Sequence, residues 1–144
     1  MNFNIIEMVH KNLLFFNLLP IIPLDGSKFI LLLLEKFLPY KLSNILIIII
    51  SFVTIFLLSA FEKRIIFILL SCILIKSIIE EANLVNIKFN KFILERYLCS
   101  FNLKKGNLIK KIDQIKRGKT HKIIYNNKIL NEKKYLEFLF GKTK

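Results

Sequence analysis

The chain has 144 residues, of which 54% are hydrophobic, and its mean hydropathy is +0.52. A soluble domain usually holds about 45–50% apolar residues, and here the excess is concentrated in long runs, which argues against a soluble domain and indicates a membrane protein. The net charge of +13 is uneven, because residues 1–81 carry seven basic and six acidic residues whereas residues 82–144 carry sixteen and four. We therefore predict a membrane domain over 1–81 and a basic tail over 82–144.

Two short apolar stretches open the chain. The first, residues 3–16, contains charged residues and is predicted to be the end of a longer membrane helix. The second, residues 26–38, would extend about 20 Å as a helix, which is too short to cross a hydrocarbon core of about 30 Å. We expect this second helix to begin inside the membrane, as a partly re-entrant helix, and to end at Pro39.

The central part of the chain holds the two longest apolar runs. Residues 44–61 contain no charged residue and would span about 27 Å as a helix, so they predict a transmembrane helix. Residues 65–79 form a second predicted span with Lys76 near one end, and residues 62–64 would be the tight turn between the two. The fold class predicted is therefore an all-α polytopic membrane protein with about three to four membrane helices, one of them short and partly re-entrant.

The tail is predicted to be a small α+β domain or to be partly disordered. Residues 88–99 are typical of an amphipathic helix on a membrane surface. Residues 121–130 predict a β-hairpin that turns at Asn126 and Asn127. Residues 131–140 predict a short helix.

The distribution of basic residues predicts the topology. The tail of charge +12 should remain in the cytoplasm, so a multi-pass protein of the cell membrane with a cytoplasmic C-terminus is expected. A basic tail is also typical of nucleic-acid-binding proteins, but this one directly follows predicted membrane helices. Basic segments beside a membrane bind anionic headgroups at about 1 kcal/mol per charge, so we expect the lipid bilayer as a partner and no nucleic acid.

The most informative segment is NLLPIIPLDG, residues 17–26. Its two prolines, three positions apart, prevent a regular helix. Irregular backbone within an apolar region is tolerated in membranes only where it is buried in protein or lines a polar cavity. An acidic residue at such a place, here Asp25, is by default a candidate functional residue.

This segment resembles the second signature of the site-2 protease family of intramembrane zinc metalloproteases. More narrowly, it is similar to the branch that contains the stage IV sporulation intramembrane protease. The resemblance implies that Asp25 is a ligand of Zn²⁺ and that Asn17 orients the site. It also implies structural roles for four residues of the motif: Pro20, Pro23, Leu24 and Gly26. Ser27 stands where the family often has a second glycine.

The family's other signature, HExxH, is absent from this chain. Its two histidines would be zinc ligands and its glutamate the general base. The nearest match ends at His10 and begins with Ile6, which cannot bind zinc, and the family carries HExxH on an earlier membrane helix. The resemblance therefore covers the last three membrane segments of the family and part of a fourth, and the helices carrying HExxH would precede Met1.

Two functions remain open at this point. The first is a partial intramembrane metalloprotease, which contributes Asp25 to peptide-bond hydrolysis and is inactive alone. The chain would then be a truncated gene product, the product of a misassigned start site, or one piece of a split enzyme. Its partners would be a transmembrane protein substrate and an upstream fragment that carries HExxH. The alternative is a non-catalytic membrane protein that retains this segment of the fold and binds or regulates a partner.

Overall fold

A computed structural model describes residues 3–61, 65–99, 104–125 and 128–141. Its elements in chain order are the helices α1 (Phe3–Leu18), α2 (Asp25–Phe37), α3 (Tyr40–Phe61) and α4 (Ile65–Leu98), then the strand β1 (Lys104–Ile109), a short 3₁₀ helix (Ile112–Gln114), the strands β2 (Lys119–Tyr125) and β3 (Lys128–Asn131), and the helix α5 (Glu132–Gly141). The chain forms two compact units. Unit 1 comprises Met1–Leu34 and Asn44–Asn83, and unit 2 comprises Glu35–Ser43 and Leu84–Lys144.

The prediction of three to four membrane helices is wrong. Among the described residues only α3, over Tyr40–Ala60 with a mean hydropathy of 2.5, is long and apolar enough to cross a membrane. Helix α1 has 16 residues and α2 has 13, and both are too short for a span. Helix α4 has 34 residues, but Lys76, Glu80 and Glu81 interrupt its apolar part.

Helix α4 also differs from the sequence prediction in its continuity. Residues 65–79 were predicted to be a membrane helix and residues 88–99 a separate surface helix, but both belong to one helix, Ile65–Leu98. The physical reason is that this range contains neither glycine nor proline, so nothing in its backbone stops the helix. The turn predicted at residues 62–64 lies outside the described residues.

Unit 1 is built around the irregular loop between α1 and α2. Helix α2 ends at Phe37, two residues before Pro39, and α3 begins at Tyr40. The core of the unit places two loop residues against side chains of α3 and α4. Its buried members are Ile21, Ile22, Ile47, Ile55, Leu74 and Ile78.

Unit 2 is a small α+β domain. Strands β1 and β2 are parallel, and β2 and β3 are antiparallel, so the hairpin predicted over residues 121–130 is present as β2 and β3, while Asn126 and Asn127 lie outside the described residues. One buried cluster joins the end of α4, the sheet and α5. Its members are Phe89, Phe92, Ile93, Ile109, Ile115, Ile123 and Leu136.

Residues 35–43, which connect α2 to α3, belong to unit 2. The backbone N–H of Tyr40 donates to the carbonyl of Ile115 at 3.0 Å. The ring of Tyr40 stacks on Phe92 with centroids 4.2 Å apart, and the Lys116 ammonium donates to the carbonyl of Phe37. The tail as predicted, residues 82–144, did not include this connection.

Candidate functional site

The loop between α1 and α2 satisfies much of its backbone hydrogen bonding locally. The N–H of Leu24 donates to the carbonyl of Ile21 at 2.7 Å. The hydroxyl of Ser27 then donates to the carbonyl of Leu24 at 2.7 Å, and the peptide bond between Ile22 and Pro23 is cis. Buried backbone groups need hydrogen-bond partners. The two hydrogen bonds provide such partners, so Ile21 and Ile22 can be buried although the backbone before α2 is irregular.

A buried serine of α3 holds the same loop. The hydroxyl oxygen of Ser51 accepts the N–H of Ile22 at 3.1 Å. It also lies 2.8 Å from the carbonyl of Ile47 and 3.2 Å from the carbonyl of Pro20, so its single proton is donated to one of these two oxygens. Sequence reasoning did not identify Ser51, because a serine within an apolar helix commonly bonds only to the preceding turn.

Gly26 lies where α2 passes directly against the end of α1. A Cβ atom at this position would collide with the carbonyl groups of Leu18 and Leu19. These are backbone atoms, which cannot move away as a side chain can. The glycine therefore permits the close approach that places Asp25, the first residue of α2, beside the last turn of α1.

The two polar residues of the motif, Asn17 and Asp25, line one cavity of about 530 Å³. Most of its wall is apolar. The full lining is His10, Leu13, Leu14, Asn17, Leu18, Asp25, Gly26 and Phe29. Pro20, Pro23 and Leu24 are not part of the lining. They belong to the connecting loop, where the Pro20 carbonyl contacts Ser51 and Leu24 packs partly buried against the core of unit 1.

Asp25 is accessible in this arrangement. Its side chain is 76% exposed, and its carboxylate forms an ion pair of 2.9 Å with the ammonium of Lys28, three residues later on α2. An exposed pair of this kind contributes only about 0–1 kcal/mol. The carboxylate can therefore exchange Lys28 for another cation at low cost.

His10 is a further polar side chain at the cavity. Its Nδ1 lies 2.7 Å from the carbonyl oxygen of Ile6, and since that oxygen can only accept, Nδ1 carries the proton. With the proton on Nδ1, Nε2 is the ring nitrogen that can bind a metal ion, which is the arrangement common in metal-binding histidines. The signal in the sequence was the spacing of seven residues between His10 and Asn17, which places both on one face of α1.

The described residues do not bring together the ligands of a catalytic zinc site. Such a site takes three protein ligands. Within the described ranges, no group of three His, Cys, Asp or Glu side chains lies close enough together to hold a metal ion. Asp25 on its own would supply one ligand of such a site.

Unit 2 contains a separate, buried charged cluster. The carboxylate of Glu132 receives hydrogen bonds from Arg96 at 2.5 and 3.0 Å and from the backbone N–H of His121 at 2.8 Å. All three side chains are almost fully buried. Burial acts to raise the pKa of Glu132, but the nearby His121 and the hydrogen bonds and charge of Arg96 outweigh burial and lower that pKa below its usual value.

This cluster has no free carboxylate with which to do chemistry. The guanidinium of Arg96 also donates to the carbonyl of Lys119 at 2.6 Å, so it joins the end of α4 to β2 and α5. The Nδ1 atom of His121 is 3.7 Å from the Glu132 carboxylate and has no hydrogen-bond partner within the part of the chain that the structure describes. We interpret the cluster as a buried ion-pair network that stabilises unit 2.

Comparison with known proteins adds no assignment to this geometry. The chain matches no protein-family model, and no curated protein matches it at a significant level.

Proposed function

We propose that this chain is one part of an intramembrane zinc metalloprotease of the site-2 type. In this proposal Asp25 is a metal-binding carboxylate, Asn17 is a polar residue that orients the site, and a segment that carries HExxH supplies the remaining ligands. The observation that carries the proposal is that Asn17 and Asp25 line the same cavity. These are the two polar residues that the resemblance singles out, and they lie on different helices.

The surroundings of the cavity favour completion by another protein segment. Leu13, Leu14 and Phe29 line the cavity, and all three are exposed large apolar side chains. Exposed apolar surface around a few polar groups is typical of an interaction site. A helix that carries HExxH would cover these residues and bring its histidines to Asp25.

The proposed location is the cell membrane, with unit 2 on the cytoplasmic side. Helix α3 is long and apolar enough to cross a membrane. Residues 82–144 carry sixteen basic and four acidic residues, and such an excess of Lys and Arg favours the cytoplasmic side. Transmembrane protein substrates would reach the cavity of unit 1 from the lipid phase.

The test is reconstitution with an upstream fragment that carries HExxH. Cleavage of a transmembrane substrate is expected from the reconstituted pair and from neither part alone. An Asp25→Ala variant should abolish the cleavage, because the methyl group of alanine cannot bind a metal ion. The matched control is Glu80→Ala, which removes an exposed carboxylate paired with Lys76 and should leave cleavage unchanged. Cleavage by the isolated chain, or by the Asp25→Ala pair, would contradict the proposal.

The second candidate is a non-catalytic membrane protein that binds or regulates a partner. The observation that favours it is the ion pair between Asp25 and Lys28, since a carboxylate neutralised within its own helix needs no metal. The two candidates differ in what Asp25→Ala changes. If the chain is a binding protein, Asp25→Ala should retain its partner, and neither the native chain nor the variant should contain metal. If it is part of a protease, Asp25→Ala should lose both metal and activity.

A further inference from the structure

Unit 2 carries a surface patch of aromatic and lysine side chains, which we name the aromatic–lysine patch: Tyr125, Lys128, Lys134, Tyr135 and Phe138. Its aromatic rings contact one another. The ring of Tyr125 lies edge-on to Tyr135 with centroids 5.7 Å apart and tilted against Phe138 with centroids 5.4 Å apart. Because the rings already pack on one another, binding to a partner would restrict their rotation little further.

Two rings of the patch are exposed, whereas Tyr135 is partly buried against the core. Tyr125 is 36% exposed and Phe138 is 39% exposed, while Leu136, on the other side of α5, is 1% exposed and belongs to the core. Helix α5 thus buries one face and leaves aromatic surface on the other.

The lysines of the patch stand beside the rings. Lys128 is the partner of Tyr125 in the antiparallel register of β2 and β3, and directly opposed residues lie on the same face of a sheet. Lys134 precedes Phe138 by four residues, so the two are neighbours on the surface of α5. Both lysines are exposed, and neither forms an ion pair with a described residue.

We infer that the aromatic–lysine patch docks unit 2 onto an anionic lipid surface. Tyrosine has an apolar body and a polar tip and is favoured where one end is apolar and the other is wet, and lysine places its charge at headgroup level while its stem covers apolar surface. The charge complementarity extends beyond the patch, because residues 82–144 carry an excess of twelve positive charges. Each lysine near an anionic surface contributes about 1 kcal/mol.

The presence of α3 in the same chain favours a membrane over a soluble acidic partner. A chain held in the bilayer by α3 keeps unit 2 at a high effective concentration near the lipid, so weak contacts suffice for docking. This inference rests on the membrane location proposed above and does not depend on the metal site.

The experiment uses the full chain in lipid nanodiscs. The chain contains no tryptophan, so Phe138→Trp introduces a single fluorescent reporter at the patch. In discs of phosphatidylcholine mixed with phosphatidylglycerol, lipids brominated on their acyl chains should quench this fluorescence, and discs of phosphatidylcholine alone should not. Lys128→Gln and Lys134→Gln, each added to the reporter variant, should lower the equilibrium constant between undocked and docked unit 2 about fivefold, as measured by the quenched fraction.

The control reporter is Leu108→Trp on β1, at the opposite edge of the sheet from β3. Leu108 is 50% exposed and is expected to remain unquenched. Equal quenching of both reporters, absence of quenching in anionic discs, or fluorescence that changes only with protein density or with added RNA would overturn the inference. If the chain does not co-elute with the discs at all, both the membrane location and this inference are overturned, whereas co-elution without quenching overturns the inference alone.

Discussion

The carboxylate of Glu35, near the end of α2, lies 2.7 Å from the guanidinium of Arg117, although 82 residues separate them in the chain. The Glu35 side chain is 4% exposed, so Arg117 is the cation that compensates its burial. The hydrogen bond with Glu35 raises the pKa of Arg117 above its usual value, although partial burial acts in the opposite direction. This pair fastens the connection between α2 and α3 within unit 2.

Replacing Arg117 should loosen that connection. In an Arg117→Ala variant the Glu35 carboxylate is left buried without its cation, and the loss of one partner of a buried polar pair costs about 1–3 kcal/mol. We expect faster amide hydrogen exchange across residues 112–117 and 35–41. The control is Lys110→Ala, which removes an exposed charge of the same sign, and equal exchange rates in the two variants would contradict this role of Arg117.

Breaking the buried pair between Arg96 and Glu132 should destabilise unit 2 more than the loss of Arg117 does. A Glu132→Gln variant keeps the size of the side chain but leaves the Arg96 guanidinium, which is 6% exposed, as an uncompensated charge. Breaking a buried pair in this way costs about 3–5 kcal/mol. The free energy of unfolding of unit 2, measured by protection of the β2 amides, should fall by that order. A change below about 1 kcal/mol would show that the pair behaves as a surface ion pair.

The stability of unit 2 should also depend on acid pH through Glu132. The pKa of Glu132 in the folded protein is below its ordinary value of 4.5, so the unfolded chain binds the proton more tightly. The stabilisation of unit 2 by the Glu132 carboxylate is complete above pH 4.5. It is lost as the pH falls below that value toward the pKa of Glu132 in the folded protein. Unfolding free energies of the native chain and of Glu132→Gln should therefore converge in acid. Parallel curves would contradict the assignment.

Substitution of Gly26 should disturb unit 1 at the candidate site. In Gly26→Ala the added methyl group meets the backbone of Leu18 and Leu19, and overpacking typically costs about 1–3 kcal/mol. A lower thermal midpoint in detergent is expected. The matched control is Gly141→Ala, because a Cβ atom there meets nothing within 4 Å. Equal midpoints for the two variants would contradict the close approach of α2 to α1.

The sequence predicted local structure well where proline, glycine or a pair of asparagines marks a boundary. Helix α2 was predicted to begin at residue 26 and to end at Pro39, and it extends over Asp25–Phe37. The hairpin formed by β2 and β3 was likewise predicted, from two short strands on either side of Asn126 and Asn127. These features depend on neighbouring residues alone, so a single sequence is sufficient to predict them.

The sequence was less informative about features that depend on distant residues. The number of membrane helices was overestimated because the apolar run 65–79 was treated as independent, whereas it continues into the polar part of α4. The pairing of Glu35 with Arg117 leaves no local pattern. The same is true of the Ser51 contact with the loop, which brings residues 29 positions apart into hydrogen-bond distance.

The roles of the candidate site residues stay predictions, and the structure shows where these residues lie. The motif identified Asn17 and Asp25, which do line one cavity, but not His10, which lines it as well. In the sequence, His10 ends the nearest match to HExxH, but Ile6 occupies a ligand position in that match. Its position relative to Asn17 on α1, rather than its likeness to that motif, is what brings it to the cavity.

The metal content of the reconstituted pair tests the central claim most directly. We predict that this chain, purified with an upstream fragment that carries HExxH, retains one zinc ion per complex, in line with a three-ligand catalytic site, and that Asp25→Ala lowers the zinc content to background while Glu80→Ala does not. Zinc retained in full by the Asp25→Ala complex would contradict the assignment of Asp25 as a metal-binding carboxylate.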